Sequence, residues 1–193
     1  MEQSSIHSYS YFVLQVKTGN EGKYISSARR ALDDRQGKLI WPRRTMVIRK
    51  GGEKREIRQS LYPGYLFFET QELSDDSIMA LKRTPGFIHF LKSNHDIIPL
   101  DRRDRETFCN LVSYGEVLGK SLAVFDENNR IRVVDGPLSR LEGNIVRVDR
   151  RKGRARVALT LHGRTLLADL SFDTLEAVPE WKPGKVSIAT SVG

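Results

Sequence analysis

The two halves of this chain follow different patterns, and the change near residue 120 constrains the fold more than any other feature. Before it, stretches with a helical period alternate with short apolar runs. After residue 120, regularly spaced turns separate short β-type segments. This pattern is typical of a small β-barrel or sandwich. The sequence therefore predicts an α+β unit followed by a small β domain. The glycine-containing turns of the second half are Asp135-Gly136-Pro137, Glu142-Gly143, Lys152-Gly153 and His162-Gly163.

The domain boundaries follow from this change of pattern. A length of 193 residues suits one ordinary domain or two small ones. The predicted β domain has a marginal size for a core that stands alone, although domains of about this size do fold. We predict an N-terminal domain at 9–113, a linker at 114–123, a β domain at 124–178 and a flexible tail at 179–193.

The first half predicts an antiparallel sheet with helices packed on it. Tyr11–Val16 is a short apolar run and predicts a buried strand. Thr18 and Glu21 have the spacing of a capping box, so a helix is expected to follow them. Ser74 predicts the N-cap of a second helix, and a third helix is expected to start near Asp101. We expect the helices to cover one face of a mostly antiparallel sheet, which is an α+β fold.

Positive charge is concentrated in one turn of the β domain. The net charge of +8 and the pI of about 9.7 favour a polyanionic partner such as nucleic acid, although many soluble proteins are mildly basic. Arginine binds phosphate through two hydrogen bonds and stacks on bases, so this turn is predicted to contact RNA. A solvated hairpin tip that is charged for solubility is the alternative. The basic residues of this turn are Arg147, Arg150, Arg151, Lys152, Arg154 and Arg156.

A second basic group lies in the first half. Gly51-Gly52 separates two β-type segments and predicts the tip of a hairpin. Contact with DNA or RNA is one interpretation of this group, and a solvated charged face is the other. The basic residues of the hairpin are Arg43, Arg44, Arg49, Lys50, Lys54, Arg55 and Arg58, and those near the first helix are Lys17, Lys23 and Arg30.

The sequence gives little support to catalysis, metal binding or membrane insertion. The single cysteine, Cys109, cannot form an internal disulfide, which fits a reducing cytoplasm. The N-terminus has no signal-peptide pattern, and no apolar run approaches the ~20 residues needed to cross a bilayer. No phosphate-cradling glycine loop occurs. The histidines are scattered and have no cysteine pairs near them, so no metal site is expected: His7, His89, His95 and His162. We therefore expect a cytoplasmic protein without cofactor or enzymatic activity.

Three stretches of the first half resemble a known family when they are taken together. "YFVLQVKTGNE", "SLYPGYLFF" and "RTPGFIHFL" resemble the N-terminal domain of the NusG transcription factors. "RIRVVDGPLSRLEGNIVRVDRRKGRARVAL" resembles the KOW motif that follows in that family, which implies a small SH3-like β-barrel. The resemblance covers roughly Tyr11–Val178. The "VKTGNE" segment and the basic hairpin look most like the specialised paralogues, particularly the LoaP antiterminators.

The resemblance implies a partner for the aromatic strand. In the NusG family the N-terminal domain binds the β′ clamp helices of bacterial RNA polymerase beside the β gate loop, and so disfavours the open clamp associated with pausing. Aromatic rings are favoured at the centre of interfaces. The alternative is that the rings are ordinary core, since strand alternation lets only part of the segment face one way. The family's clamp-binding element maps onto Tyr62, Pro63, Gly64 and Tyr65, with Phe67 on the same face as Tyr65.

The resemblance also bears on the β domain. LoaP-like proteins are thought to recognise a hairpin in the nascent transcript, which implies that the KOW domain reads RNA shape, backbone and loop bases. Asn128-Asn129 occupies a turn where the family commonly carries glycine, and asparagine tolerates the left-handed geometry. Leu166 and Leu167 stand where housekeeping members carry a Thr-Pro pair. That region meets Rho or a ribosomal protein in general NusG proteins, so these two partnerships stay open.

The function expected from the sequence is therefore a monomeric transcription elongation and antitermination factor. It would bind the polymerase clamp through its N-terminal domain, suppress pausing and termination, and contact nascent RNA through its KOW domain. The alternative is a ribosome-associated or general RNA-binding KOW protein that does not act on polymerase. An RNA-modifying enzyme is a third and weaker alternative.

Overall fold

The computed structural model describes residues 9–33, 35–92, 94–161 and 163–175, with the side chains of Arg49 and Lys50 excepted. The predicted tail at 179–193 lies outside the described residues. None of the helices in this part of the chain is long and apolar enough to cross a membrane.

The N-terminal half alternates strands and helices. Its elements are β1 (Ser10–Val16), α1 (Glu21–Ala31), β2 (Lys38–Ile40), β3 (Arg43–Lys50), β4 (Glu53–Ser60), β5 (Tyr65–Thr70), α2 (Asp75–Arg83), β6 (Phe87–Phe90) and α3 (Arg102–Val112).

The C-terminal half consists of strands and one short 3₁₀ turn. Its elements are β7 (Val117–Leu118), β8 (Ser121–Phe125), β9 (Ile131–Asp135), the turn Glu142–Asn144, β10 (Ile145–Asp149), β11 (Arg154–Leu161) and β12 (Arg164–Thr174).

These strands form three sheets, and the architecture is the mixed α+β type that the sequence predicts. An antiparallel sheet has the order β2-β5-β1-β6, and a second sheet has the order β4-β3-β7. The third sheet, β10-β11-β12-β8-β9, contains the C-terminal strands. It is open within the described residues, since β9 and β10 are not paired there, so the closed SH3-like barrel stays a prediction.

The first sheet is covered on both faces, whereas the sequence predicted helices on one face only. Alternation along β1 places Phe12 and Leu14 in a core with α1 and α2, and Val13 in a different core. On that second face the ring of Phe108 from α3 stacks on Phe67, with centroids 3.9 Å apart and planes 18° apart. Since both faces of the sheet are apolar, both need a cover, and α3 supplies part of the second one.

The expected capping box at the start of α1 is wrong. Asn20 occupies the N-cap position and makes no capping hydrogen bond through its side chain. Glu21 is buried, and its Oε1 accepts a hydrogen bond of 2.7 Å from the backbone N–H of Gly64. Gly64 has φ of 81°, and a Cβ there would lie 2.6 Å from Oγ1 of Thr18. Glu21 therefore fixes the Pro-Gly turn that leads into β5.

Other local predictions are confirmed. Ser74 accepts a hydrogen bond from the N–H of Ser77 at the start of α2, and Asp101 caps α3 in the same way. Asn129 has the left-handed φ of 58° that its turn position predicts.

The segment predicted as a linker at 114–123 carries strands. It contains β7, which pairs in parallel with β3, and β8 begins within it at Ser121, before the start predicted for the β domain.

The β3–β4 hairpin and strand β11 also follow their sequence patterns. Gly51 and Gly52 form the hairpin turn with φ of 61° and 85°. On β11, Val157, Leu159 and Leu161 are buried, and Arg154 and Arg156 occupy the alternate positions that the pattern assigns to the other face.

We predict that Glu21→Ala lowers the free energy of unfolding by about 1–3 kcal/mol, because it leaves the buried N–H of Gly64 without its acceptor. Urea unfolding followed by fluorescence measures this change. Glu72→Ala is the matched control, since Glu72 is exposed. Equal loss in the two variants would contradict the role given to Glu21.

Candidate nucleic-acid interface and the covered aromatic face

The C-terminal strands pack against the N-terminal domain. One contiguous apolar cluster draws its members from both halves of the chain, so the domains are docked on each other. Members from the N-terminal half include Val13, Ile40, Leu61, Tyr62, Phe67, Phe108 and Leu111, and those from the C-terminal half include Leu138, Leu141, Val157, Leu159, Leu161, Leu170 and Phe172.

The edge of β3 supplies acceptors for the docked domain. β7 pairs with β3 only at Arg43 and Arg44, so the rest of this edge has no backbone partner from β7. The carbonyl oxygen of Thr45 accepts from Oγ of Ser171 at 3.3 Å, and that of Val47 accepts from Nη2 of Arg154 at 3.3 Å. Side chains of β11 and β12 thus satisfy an open sheet edge, which is otherwise prone to pair with other chains.

Other polar contacts join the two domains on either side of this edge. Nη1 of Arg44 donates to the carbonyl oxygen of Asp169 at 2.5 Å, and Nη1 of Arg164 donates to the hydroxyl of Tyr65 at 3.1 Å. A more distant contact runs from Nη1 of Arg140 to Oδ1 of Asn110 at 2.7 Å. The interface therefore combines an apolar cluster with contacts that water can replace.

Much of the aromatic element predicted to bind polymerase is covered, in part by α3 and in part by the C-terminal domain. Tyr62 is 3% exposed and Phe67 is fully buried, while Tyr65 on the same face is half-buried under Arg164. Pro63 is exposed at the turn. Tyr65 and Phe67 share a face that is covered by α3 and the C-terminal domain, so these rings are core in the docked arrangement.

The basic turn between β10 and β11 is only partly neutralised. Arg156 makes a two-pronged salt bridge to Asp169, at 2.7 and 3.1 Å, and Lys152 lies 3.7 Å from Asp149. Arg150 lies over the ring of Phe125, 4.5 Å from its centroid. Arg154 donates to the carbonyl oxygen of Val47. The remaining two arginines of the turn, Arg147 and Arg151, are exposed and form no salt bridge within the described residues.

The basic hairpin divides into a docked part and an exposed part. Arg43 lies 5.0 Å from the ring centroid of Trp41, and Arg44 contacts the C-terminal domain. The side chains of Arg49 and Lys50 lie outside the described residues. The exposed basic residues are Lys54, Arg55 and Arg58 on β4, and Lys17, Lys23 and Arg30 near α1.

Three guanidinium groups surround one carboxylate at the domain contact. The hydrogen bond from Arg156, together with the charges of Arg44 and Arg154, holds the pKa of Asp169 below its usual range. Burial lowers the pKa of Arg44, and the nearby Arg154 and Arg156 lower it further against the effect of Asp169. The contact therefore carries more positive than negative charge.

Sequence reasoning missed Asp169 and Lys120. Asp169 lies opposite Arg156 in a register that pairs Leu161 with Arg164. Counting outward from the turn that the sequence predicts at His162-Gly163 gives this pair. Lys120 forms a salt bridge of 2.9 Å with Asp173, which no local pattern indicates.

The comparisons with known proteins identify the family. A family model described as "Transcription termination factor nusG" matches residues 9–109. The chain belongs to the NusG family. The protein named "Transcription termination/antitermination protein NusG" in Haemophilus influenzae is 24% identical over 183 residues, which is 92% of this chain and 98% of that one. Its Escherichia coli namesake is 24% identical over 172 residues, with 86% and 94% covered.

The fold of this NusG-family chain also resembles a solved structure. "Domain interaction in Thermotoga maritima NusG" matches with a TM-score of 0.56 and 20% identity, and it covers 85% of this chain and 94% of that one. This similarity supports the α+β fold.

We predict that Ser171→Phe separates the two domains of this NusG-family protein, because a ring in place of the buried Ser171 cannot fit against β3. Small-angle X-ray scattering should show a larger radius of gyration with unchanged circular dichroism. Thr160→Phe is the matched control, since Thr160 is an exposed residue of the adjacent strand β11. Unchanged scattering for Ser171→Phe would contradict the docked interface.

We predict that Asp169→Asn lowers the free energy of unfolding at pH 7 and that the difference disappears in acid. The folded-state pKa of Asp169 is lowered, so its stabilisation is full above the unfolded pKa of about 3.9 and is lost as pH falls through the folded value. Urea unfolding from pH 7 to acid measures this. Asp135→Asn, at an exposed position, is the control. A difference independent of pH would contradict the assignment.

Proposed function

We propose that this chain is a transcription elongation and antitermination factor that binds RNA polymerase through the aromatic face of its N-terminal sheet. One observation carries the proposal: in this NusG-family chain the aromatic face of the N-terminal sheet lies in an apolar cluster shared with the C-terminal domain, and Arg164 of that domain lies on Tyr65. The relatives named transcription termination/antitermination proteins support the kind of process.

The contacts that hold the C-terminal domain against this face can be broken, so that the two domains separate. The polar contacts among them include side chains donating to carbonyl oxygens. Because water replaces these bonds on opening, the net contribution is about 1 kcal/mol for the Ser171 hydroxyl and about 1.5–3 kcal/mol for each of the guanidinium donors, Arg44 and Arg154. Opening exposes Tyr65 and the apolar residues around it, and an aromatic centre with a polar rim is typical of protein interfaces. A partner that binds this face selects the open form.

The partner that we propose for this face is the polymerase clamp. By the family resemblance, the contact is with the β′ clamp helices beside the β gate loop, through Tyr62, Pro63, Gly64, Tyr65 and Phe67. Binding that prefers the closed clamp raises the population of the closed form by the difference in affinity, and this suppresses pausing and termination. No cofactor or catalytic group takes part, and the protein acts as a cytoplasmic monomer.

The basic turn of the C-terminal domain contacts nascent RNA in this proposal. Arg147 and Arg151 are exposed while the domains are docked, so they are accessible to phosphate in either arrangement. The LoaP-like features support a leader hairpin as the RNA. In this proposal the exposed cations of the other domain, Lys17, Lys23 and Arg30, contact non-template DNA.

We predict that Ser171→Phe binds core RNA polymerase more tightly than the parent, because docking no longer competes with the polymerase. In that background Tyr65→Ala should weaken binding at least tenfold, which corresponds to about 1.4 kcal/mol. Tyr9→Ala is the control, since Tyr9 is exposed and precedes β1. Fluorescence anisotropy measures binding, and transcription across an intrinsic terminator should show readthrough in the same order.

Two results would overturn this function. The first is that purified elongation complexes ignore the parent and Ser171→Phe alike. The second is that ribosomes retain the protein while polymerase does not, which would support the ribosome-associated KOW alternative.

A further inference from the structure

A basic cavity lies between the β3–β4 hairpin and the β10–β11 turn. Its volume is about 790 Å³, and none of the described residues that line it is acidic. Five of them carry a positive charge. The lining residues are Val47, Ile48, Lys54, Lys120, Arg151, Lys152 and Arg154.

The cavity exists only because the domains are docked. Lys54 comes from β4, Lys120 from the residue before β8, and Arg151 from the β10–β11 turn. The hydrogen bond from Arg154 to the carbonyl oxygen of Val47 joins the two walls. If the domains separate, the cations of the hairpin and those of the turn no longer face one space.

The positive charge of this cavity is incompletely balanced. Lys120 pairs with Asp173 at 2.9 Å and Lys152 with Asp149 at 3.7 Å. Within the described residues, Lys54 and Arg151 form no salt bridge. A concave site with one sign of charge concentrates the field and attracts an anion.

The walls also offer apolar surface beside the charges. Val47 is 37% exposed and Ile48 is partly exposed. A nucleic-acid strand, in which sugars that carry bases link the phosphates, matches this combination of charged and apolar surface better than an isolated anion does. The volume falls within the range of about 300–1,000 Å³ of small-ligand sites, which suits a few linked nucleotides.

We infer that this composite groove binds a single strand of nucleic acid through its phosphates, and that the groove is complete only in the docked arrangement. The inference rests on the proposed RNA contact of the β10–β11 turn. Strand binding and docking then strengthen each other by the same factor. Because docking covers the Tyr65 and Phe67 face, a strand in the groove opposes binding at that face.

The test measures the affinity of the full-length chain for a fluorescent single-stranded oligouridylate of about ten nucleotides, by anisotropy at low salt. Lys54→Ala and Arg151→Ala should each weaken binding several-fold and reduce the salt slope by about 0.7. Arg103→Ala is the charge-matched control on α3, since Arg103 is exposed and does not line this cavity.

The domain dependence is tested in the same assay. Ser171→Phe should weaken binding as Lys54→Ala does, and adding Lys54→Ala to it should have no further effect. Thr160→Phe should bind like the parent. A full effect of Lys54→Ala in the opened variant, or parent-like affinity of Ser171→Phe, would overturn the composite groove.

Two further arms separate this inference from the proposed function. Arg147 does not line the groove, so Arg147→Ala should weaken binding of a leader RNA hairpin and leave the oligouridylate affinity unchanged. If Lys54→Ala has no effect while Arg147→Ala weakens hairpin binding, the groove fails and the RNA contact stands. A duplex of equal length that binds as tightly as the strand, with the same response to Lys54→Ala, would overturn the assignment to a single strand.

Discussion

The docking of β11 and β12 on the free edge of β3 is the contact on which the other functional features depend. β7 pairs with β3 over only two residues, and this leaves the carbonyl oxygens of Thr45 and Val47 open to Ser171 and Arg154. Tyr62 and Phe67 lie buried in an apolar cluster that both domains share. The docking also brings Lys54 and Arg151 to one cavity.

This arrangement gives the two proposed activities opposite requirements. The aromatic face needs separation of the domains, whereas the basic groove needs their contact. Three guanidinium groups around Asp169 make the contact electrostatically unbalanced, because the charge of one carboxylate does not offset three cations. A polyanion in the groove and a protein on the aromatic face therefore act on one equilibrium from opposite sides.

Much of the local structure could be predicted from the sequence, and the reason is periodicity. Alternation in β11 separates Val157 and Leu159 from Arg154 and Arg156, and this requires no knowledge of other elements. Glu21 shows where prediction from local sequence patterns fails. Its spacing from Thr18 is that of a capping box, yet its partner is Gly64, which is distant in the chain. The prediction that all helices cover one face of the first sheet was wrong for a similar reason. The sequence shows that both faces of the sheet are apolar, but it does not show which helix covers which face.

The sequence predicted which residues belong to the candidate site, but not how the fold brings them together. The arginines of the turn and the aromatic strand both stand out in the sequence. The contact between the domains and the groove depend instead on the short β7, which leaves one edge of β3 unpaired beyond Arg44.

A reversible lock tests the claim that docking masks the face proposed to bind polymerase. Thr45→Cys with Ser171→Cys, in a Cys109→Ser background, introduces two thiols at the contact between β3 and β12, which oxidation is to join as a disulfide. The oxidised protein should not bind core polymerase and should regain binding on reduction, and equal binding of the two forms would contradict the mask.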